Sequence, residues 1–490
     1  MPTDEPKPGC LPAWGKADLP APPVFTLRNV LTVIGPGTIA LSTSIGSGEW
    51  VLGPASVARH GFSILWIVTL GIVFQLALNI EFIRYTLYTG EPAVNGFMRT
   101  RPGPRFWSVA YILLALAQVG WPAWAALSAP TLFGAWHGRL PGADDAQTIR
   151  FLGVASFLAC VAIVAVGGKI ERMLEWVNWF MVGFIILFLL IVDILFVPAG
   201  TWLAGATGFL QFGALPRSGT GEAVDWLLLG ALAGFAGNGG IGNVWTSNWI
   251  RDKGYGMGSL VGYIPSMVGG KKVNVSPVGT VFPATAENLS RWRRWWSYVW
   301  IDQGLVWAVG CFLGMYLNVI LVAAIVPAGT DMGDPLSAGA VQADCLARLG
   351  GARVLWYLTL LNGFWIMFGS QLTIVDGFVR LSTDIVWTGS VTVRRWAKDD
   401  IRRVYYGLLA FFTIWGCVAI NLQTAFNLAK RAANVAGFIL IVAGIHILAL
   451  NARHLPREVR GPWWLRLAVL GGVVFYAFFF VMNVTALVRG

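Results

Sequence analysis

Ser44-Ile45-Gly46-Ser47-Gly48-Glu49-Trp50 lies in the middle of one long apolar run, and Gly237-Asn238-Gly239-Gly240-Ile241-Gly242-Asn243 in the middle of another. Glycine inside a helix costs about 1 kcal/mol relative to alanine, so such clusters make unwinding easy at mid-span. Unwound backbone at bilayer depth must line a cavity or be covered by protein, because lipid cannot satisfy its N–H and C=O groups. A small-residue packing seam would also bring glycines into a membrane helix, but it has no use for a central Glu or for two Asn. Two interrupted helices are therefore expected, with polar groups between them.

The rest of the chain supports the membrane reading. Of 490 residues 56% are hydrophobic and only 12% charged, against about a quarter charged in soluble domains. Apolar runs of spanning length recur from end to end and predict about eleven transmembrane helices, at 30–56, 62–88, 107–135, 149–166, 174–197, 224–250, 297–326, 354–380, 402–422, 426–450 and 464–488. Short alternating segments of the β-barrel kind do not appear. The interrupted helices are numbers 1 and 6. Helix 1 runs into Ala58-Arg59-His60-Gly61-Phe62 and helix 6 into Arg251-Asp252-Lys253-Gly254-Tyr255. With five helices per half, the second half must insert upside down, the pattern of an inverted repeat whose broken helices meet at a substrate site. The expected organisation is a cytoplasmic tail (1–29), a first five-helix repeat (30–200), a second (224–450) and an additional helix 11 (463–490).

The formal charge of +11 follows the membrane. Most Lys and Arg fall on one side if the N-terminus is cytoplasmic, including the Arg251–Arg294 and Arg380–Arg403 clusters, which places the C-terminus outside. These clusters read as topology signals, so no nucleic-acid partner is expected; the partners are a lipid bilayer and a small-molecule or ion substrate, in a bacterial-type plasma (inner) membrane. The five cysteines have no regular spacing, which indicates neither a disulfide framework nor a zinc site. There is no nucleotide-binding G-x-x-x-x-G-K-[ST], no H-E-x-x-H and no G-x-S-x-G, so neither an ATP-driven pump nor a familiar hydrolase is indicated, and no cofactor is expected. The segment 251–296 reads as a long cytoplasmic loop.

Gly35-Pro36-Gly37 opening helix 1, Ala58-Arg59-His60-Gly61-Phe62-Ser63-Ile64-Leu65-Trp66 entering helix 2, and Tyr298-Val299-Trp300-Ile301-Asp302-Gln303 in helix 7 together resemble the NRAMP family of divalent-metal transporters. The resemblance implies a LeuT-type fold, which agrees with the inverted repeat, and secondary transport by alternating access. It also exposes departures. Where the family reads Asp-Pro-Gly-Asn in helix 1, this chain has Gly46-Ser47-Gly48-Glu49; where it reads Met-Pro-His in helix 6, the chain has Asn238-Gly239-Gly240. The positions of its helix-3 acids correspond to Gln118, Ala125 and Ser128. Without the acid and the thioether, selection of soft transition metals is not expected.

The remaining inventory is Glu49, the amides of Asn238 and Asn243, the hydroxyls of Ser44 and Ser47, the backbone at Gly46 and Gly239, and the indoles of Trp50, Trp121, Trp124 and Trp245. It suits a small polar organic solute such as a sugar. A hydrated magnesium or other divalent ion is the alternative, since magnesium keeps several waters and tolerates few charged ligands; a sensor or channel that keeps the fold without turnover is a third. Each tryptophan has a plainer role open to it as an interfacial anchor. Glu49 could instead accept hydrogen bonds from unwound backbone. Asp302, Asp376 and His446 lie in apolar spans and are candidates for coupling, with internal hydrogen bonding as the rival reading.

Overall fold

The computed structural model describes residues 11–46, 48–165, 170–214, 224–265, 273–327, 330, 332, 340–422 and 424–489. Among them eight helices are long and apolar enough to cross a membrane: Phe62–Thr89 (helix 2), Pro104–His137 (helix 3), Ala143–Ala165 (helix 4), Ile170–Phe196 (helix 5), Ala286–Ile325 (helix 7), Arg353–Gly389 (helix 8), Asn427–His454 (helix 10) and Trp463–Ala486 (helix 11). Three segments fill the remaining places: the interrupted helix 1, Pro36–Ser44 with Gly53–His60; the interrupted helix 6, Trp226–Gly234 with Ile241–Lys253; and Ile401–Ala419 (helix 9). Short helices Leu27–Val33, Ala93–Met98, Ala199–Gly208 and Val341–Gly350 lie between the spans.

Burial ranks the helices. Every residue from Ile241 to Asp252 is buried, and so is nearly all of helix 8 from Ile366 to Ile385. Helix 11 is the reverse, with 28% of its apolar window covered. It leans on helix 2 through Tyr476, whose hydroxyl donates to the Gly71 carbonyl (3.2 Å), and through Phe475 against Phe74. Helices 1, 6 and 8 thus form the middle of the bundle.

Two helices are locally reshaped. Helix 3 bends at Gly120-Trp121-Pro122, where Pro122 has no N–H to continue the ladder and begins the second segment, Ala123–His137. Helix 7 carries a π-helical stretch, Trp300–Ala308. Such wide turns recur at functional sites, and this one carries the buried Asp302, Gln303 and Trp307.

Two expectations, the long loop and the place of two arginines, are corrected, and the tail gains contacts. The loop expected over 251–296 is shorter, because helix 6 continues through Lys253 and helix 7 already begins at Ala286, where the Thr285 hydroxyl caps it by accepting from Asn288 N. The described part of the N-terminal tail is not free: Gly15–Lys16 pairs in parallel with Thr280–Val281. Leu19 is fully buried with its N–H on Asn288 Oδ1 (3.0 Å), Trp295 donates to the Pro20 carbonyl (2.9 Å), and Arg99 donates to the Pro12 carbonyl (2.7 Å) while stacking on Trp14. Finally, Arg251 and Arg380, expected to serve orientation from loops, lie inside the bundle, 2% and 0% exposed. Cys160 and Cys311 are buried free thiols, Cys345 and Cys417 half-buried ones.

Candidate functional site

Helix 1 stops at Ser44, Ile45 and Gly46 follow outside it, and a π-helical turn begins at Gly48 (Gly48–Leu52); Ser47 lies outside the described residues. Glu49 and Trp50, expected in unwound chain, sit in that π-turn, and Gly46 immediately before it. Helix 8 secures the break: the Ser370 hydroxyl stands among the carbonyls of Ser42 (3.1 Å), Thr43 (3.4 Å) and Ile45 (3.4 Å), and the Thr43 hydroxyl donates to Thr373 Oγ1 (2.8 Å). Glu49 is fully buried. Its Oε2 accepts from Gly46 N (3.0 Å), its Oε1 has no partner among the described residues, and its stem lies beside Gly314 of helix 7. Trp50 is buried, with its carbonyl accepting from Gln342 (2.8 Å).

Helix 6 is interrupted over residues 235–240, where Gly239 and Gly240 take positive φ (65° and 61°) that favours glycine. Asn243 and Gly242, expected in the break, belong to the first turn of the second half. Side-chain amides from neighbouring helices replace the missing ladder. Gln75 of helix 2 accepts from Gly239 N (3.0 Å), while Gln118 of helix 3 donates to the Gly239 carbonyl (2.7 Å) and accepts from Ile241 N (3.0 Å). A neutral amide offers a donor and an acceptor together, which a carboxylate cannot.

The two breaks touch. A Cβ on Gly48 would collide with the Phe235 carbonyl. Ser44 donates to Asn238 Oδ1 (2.8 Å), Trp307 of the helix-7 π-stretch reaches both Ser44 Oγ (2.9 Å) and Asn238 Oδ1 (3.2 Å), and Asn238 Nδ2 donates to Thr246 Oγ1 (2.9 Å). Around this junction lies a cavity lined by Thr43, Ser44, Gly48, Gln118, Trp124, Phe235, Asn238 and Trp245, with Val119 and Ile374. Its gaps total about 300 Å³ but are so narrow that hardly more than one water fits.

The structure therefore brings together Ser44, Asn238, Trp124 and Trp245, adjoined by Gly239. Trp121 stands apart, half-buried against Trp415 at 5.8 Å. Asn243 opens a second polar chain: it donates to Asn79 (2.9 Å), Asn79 to Gln303 (3.1 Å), Gln303 to Asp302 (2.8 Å), and Asp302 Oδ1 accepts from Gly35 N (2.9 Å) at the start of helix 1. Asp376 belongs to a buried ion network. It binds Arg380 through two bonds and accepts from Trp249 (2.9 Å) and Tyr405 (2.6 Å); Arg380 also pairs with Asp252, and Arg251 holds Asp384 bidentately (2.7 and 2.9 Å). His446 contacts Thr100 (2.7 Å) and Tyr111 (3.0 Å) and stacks on Phe97. Sequence reading missed Gln75, Asn79, Thr246, Gln303 and Trp307. The signal available was the pair Gln75 and Asn79, one helical turn apart in the apolar middle of helix 2.

No protein-family model and no curated protein sequence matches the chain. Solved structures do. A mutant of the manganese transporter of Eremococcus coleocola is similar with a TM-score of 0.67 at 14% identity, over 96% of this chain and 90% of that one. The same transporter in complex with an aromatic bis-isothiourea substituted compound gives 0.61 at 13% identity, over 96% and 89%. At such identities the likeness concerns the fold, and with the two interrupted helices in place it makes this chain an all-α membrane protein of the LeuT type.

Proposed function

We propose that the protein is a secondary transporter that moves a small, uncharged organic solute by alternating access, its central site formed where helices 1 and 6 are interrupted. The observation that supports this reading most is the chemistry of the narrow cavity: hydroxyls, amides and aromatic faces line it, and among the described residues no ionisable side chain does. A dehydrated divalent ion needs charged or strongly donating ligands, because the desolvation of an uncompensated ion costs of order 20 kcal/mol in the idealised limit. The one carboxylate of the two breaks, Glu49, is turned onto its own backbone at Gly46. Its unpartnered Oε1 favours a second reading, a hydrated divalent cation such as magnesium, which would require Glu49 to swing toward the cavity. In this reading of the chain the N-terminus is cytoplasmic, the C-terminus is outside, the membrane is the plasma membrane, and the protein catalyses no reaction.

Uptake of labelled uncharged solutes into proteoliposomes, with and without proton or sodium gradients, tests the proposal. Accumulation of an uncharged solute, with manganese neither taken up nor bound at micromolar concentration, is expected. Micromolar manganese binding that disappears in Glu49→Ala would overturn it.

A further inference from the structure

The cavity is polar in composition, yet nearly all of its polar side-chain atoms are already occupied. Asn238 Oδ1 receives Ser44 and Trp307, and its Nδ2 meets Thr246. Gln118 gives both ends of its amide to the helix-6 backbone, and Thr43 is bonded to Thr373 and the Ile39 carbonyl. Trp245 is different. Its indole lines the cavity at 1% exposure, and its Nε1–H has no acceptor among the described residues. The ring is held in place by helix 8, where Gly377 leaves it room: a Cβ there would stand 2.7 Å from Cδ2 and Cε2. Trp124 and Phe235, with centroids 5.6 Å apart, add aromatic wall, and Val119 and Ile374 add aliphatic wall.

A buried donor left open in an otherwise satisfied site is costly unless a ligand uses it, and such exceptions mark function. We propose that Trp245 Nε1 is the recognition donor of the cavity and that the solute is a small, uncharged ring carrying a strong hydrogen-bond acceptor, a lactam, cyclic imide or related conjugated carbonyl compound, rather than a sugar. This rests on the reading of the cavity as the transport site and narrows its substrate class. A sugar brings a ring of hydroxyls, each of which loses water on entry and needs a partner, whereas the open side-chain donors here are indole N–H groups, Trp245 Nε1 above all. A planar carbonyl ring needs one donor and aromatic faces. Trp245 therefore acts as the specificity-determining residue, and Ser44, Asn238 and Gln118 as the groups that hold the breaks around it.

The test is calorimetric titration of the full-length protein in nanodiscs with a set of lactams and cyclic imides, their carbocyclic isosteres in which CH₂ replaces C=O, and glucose, inositol and glycerol. A carbonyl ring should bind at least about 10-fold more tightly than its own isostere, as expected for one buried hydrogen bond. Trp245→Phe, which keeps an aromatic face but removes the N–H with the pyrrole half of the indole, should erase that difference, both compounds of a pair sharing whatever is lost with the smaller ring. The comparison within each pair on the wild-type protein reads the same bond should the variant fold poorly. Unchanged carbonyl affinity in Trp245→Phe, equal affinity of carbonyl and isostere, or tighter binding of a polyol than of every carbonyl ring overturns the inference, even where proteoliposomes still accumulate an uncharged solute. If none of the compounds binds and no uncharged solute is taken up, the transport reading falls with it.

Discussion

Asn238 ties three helices through one amide: Ser44 of helix 1, Trp307 of helix 7 and Thr246 within helix 6 all meet it while fully or nearly fully buried. Asn238→Ala removes the shared bridge while Ser44 keeps the Ala40 carbonyl, Trp307 keeps Ser44 Oγ and Thr246 keeps the Gly242 carbonyl, so the cost is that of the lost bonds, about 0.5–1.5 kcal/mol each. The expected outcome is a clear drop in thermal unfolding temperature together with loss of solute binding; Asn238→Asp, which keeps the acceptor, should lose less stability. Glu49 gives the opposite expectation. Its observed bond is as an acceptor from Gly46 N, a role that the carbonyl oxygen of a glutamine performs as well. Uptake should survive Glu49→Gln and fall in Glu49→Ala; abolition by the glutamine would return Glu49 to the role of a cation ligand. At this scale the sequence told where polarity was needed but not which atoms were free. Ser44, Asn238 and the tryptophans were legible as polar or aromatic residues beside glycines, whereas the engagement of Gln118 with helix 6 and of Asn238 with helices 1 and 7 depends on partners far away in sequence.

Helices 6 and 8 are joined by charge. Arg251, Arg380, Asp252, Asp376 and Asp384 are all 3% exposed or less, and removing one member of a buried ion pair usually costs about 3–5 kcal/mol because its partner stays behind uncompensated. Arg380→Met should therefore destabilise the protein by roughly that amount, visible in its thermal unfolding, whereas Arg59→Met, whose partner Asp225 is reached from a half-exposed position, should change little. Hydropathy read Arg251 as loop because the apolar run fades there, although the helix continues. The N-terminal segment escaped notice for a similar reason: a Pro-rich stretch gives no periodic signal, and its anchors, Trp14 and Leu19, are single residues. That segment should respond to acid. Burial pushes the Glu91 carboxyl upward, but the Arg99 guanidinium and the Gly279 N–H outweigh it and hold the group below its ordinary range. A carboxylate depressed in the folded state contributes stability above its unfolded pKa and loses it as pH falls through the folded value. Protection of the Gly15 and Ala17 amides, which donate to Gly279 and Val281, should persist through neutral pH and fade only below the usual carboxylate range. In Glu91→Gln, hydrogen exchange should find it weak at all pH values.

On the scale of the whole molecule, the fold was legible because its signals are repeated: glycine clusters in helices 1 and 6, five helices apart, and the apolar runs that separate them. The structure closes on both breaks at once, leaving gaps for hardly more than one water at the junction, and transport requires that this junction open in turn to each side of the membrane. Thr43 lines the cavity beside the helix-1 break, so a single cysteine there, in a protein whose native cysteines have been replaced, reports directly on that opening. Labelling Thr43→Cys in oriented proteoliposomes with a membrane-impermeant thiol reagent, applied from one side and then the other, is the most direct measurement. Alternating access through the two breaks predicts reaction from both sides at rates that the bound uncharged solute slows; a cysteine that no reagent reaches from either side, or that reacts from one side only and indifferently to solute, contradicts it.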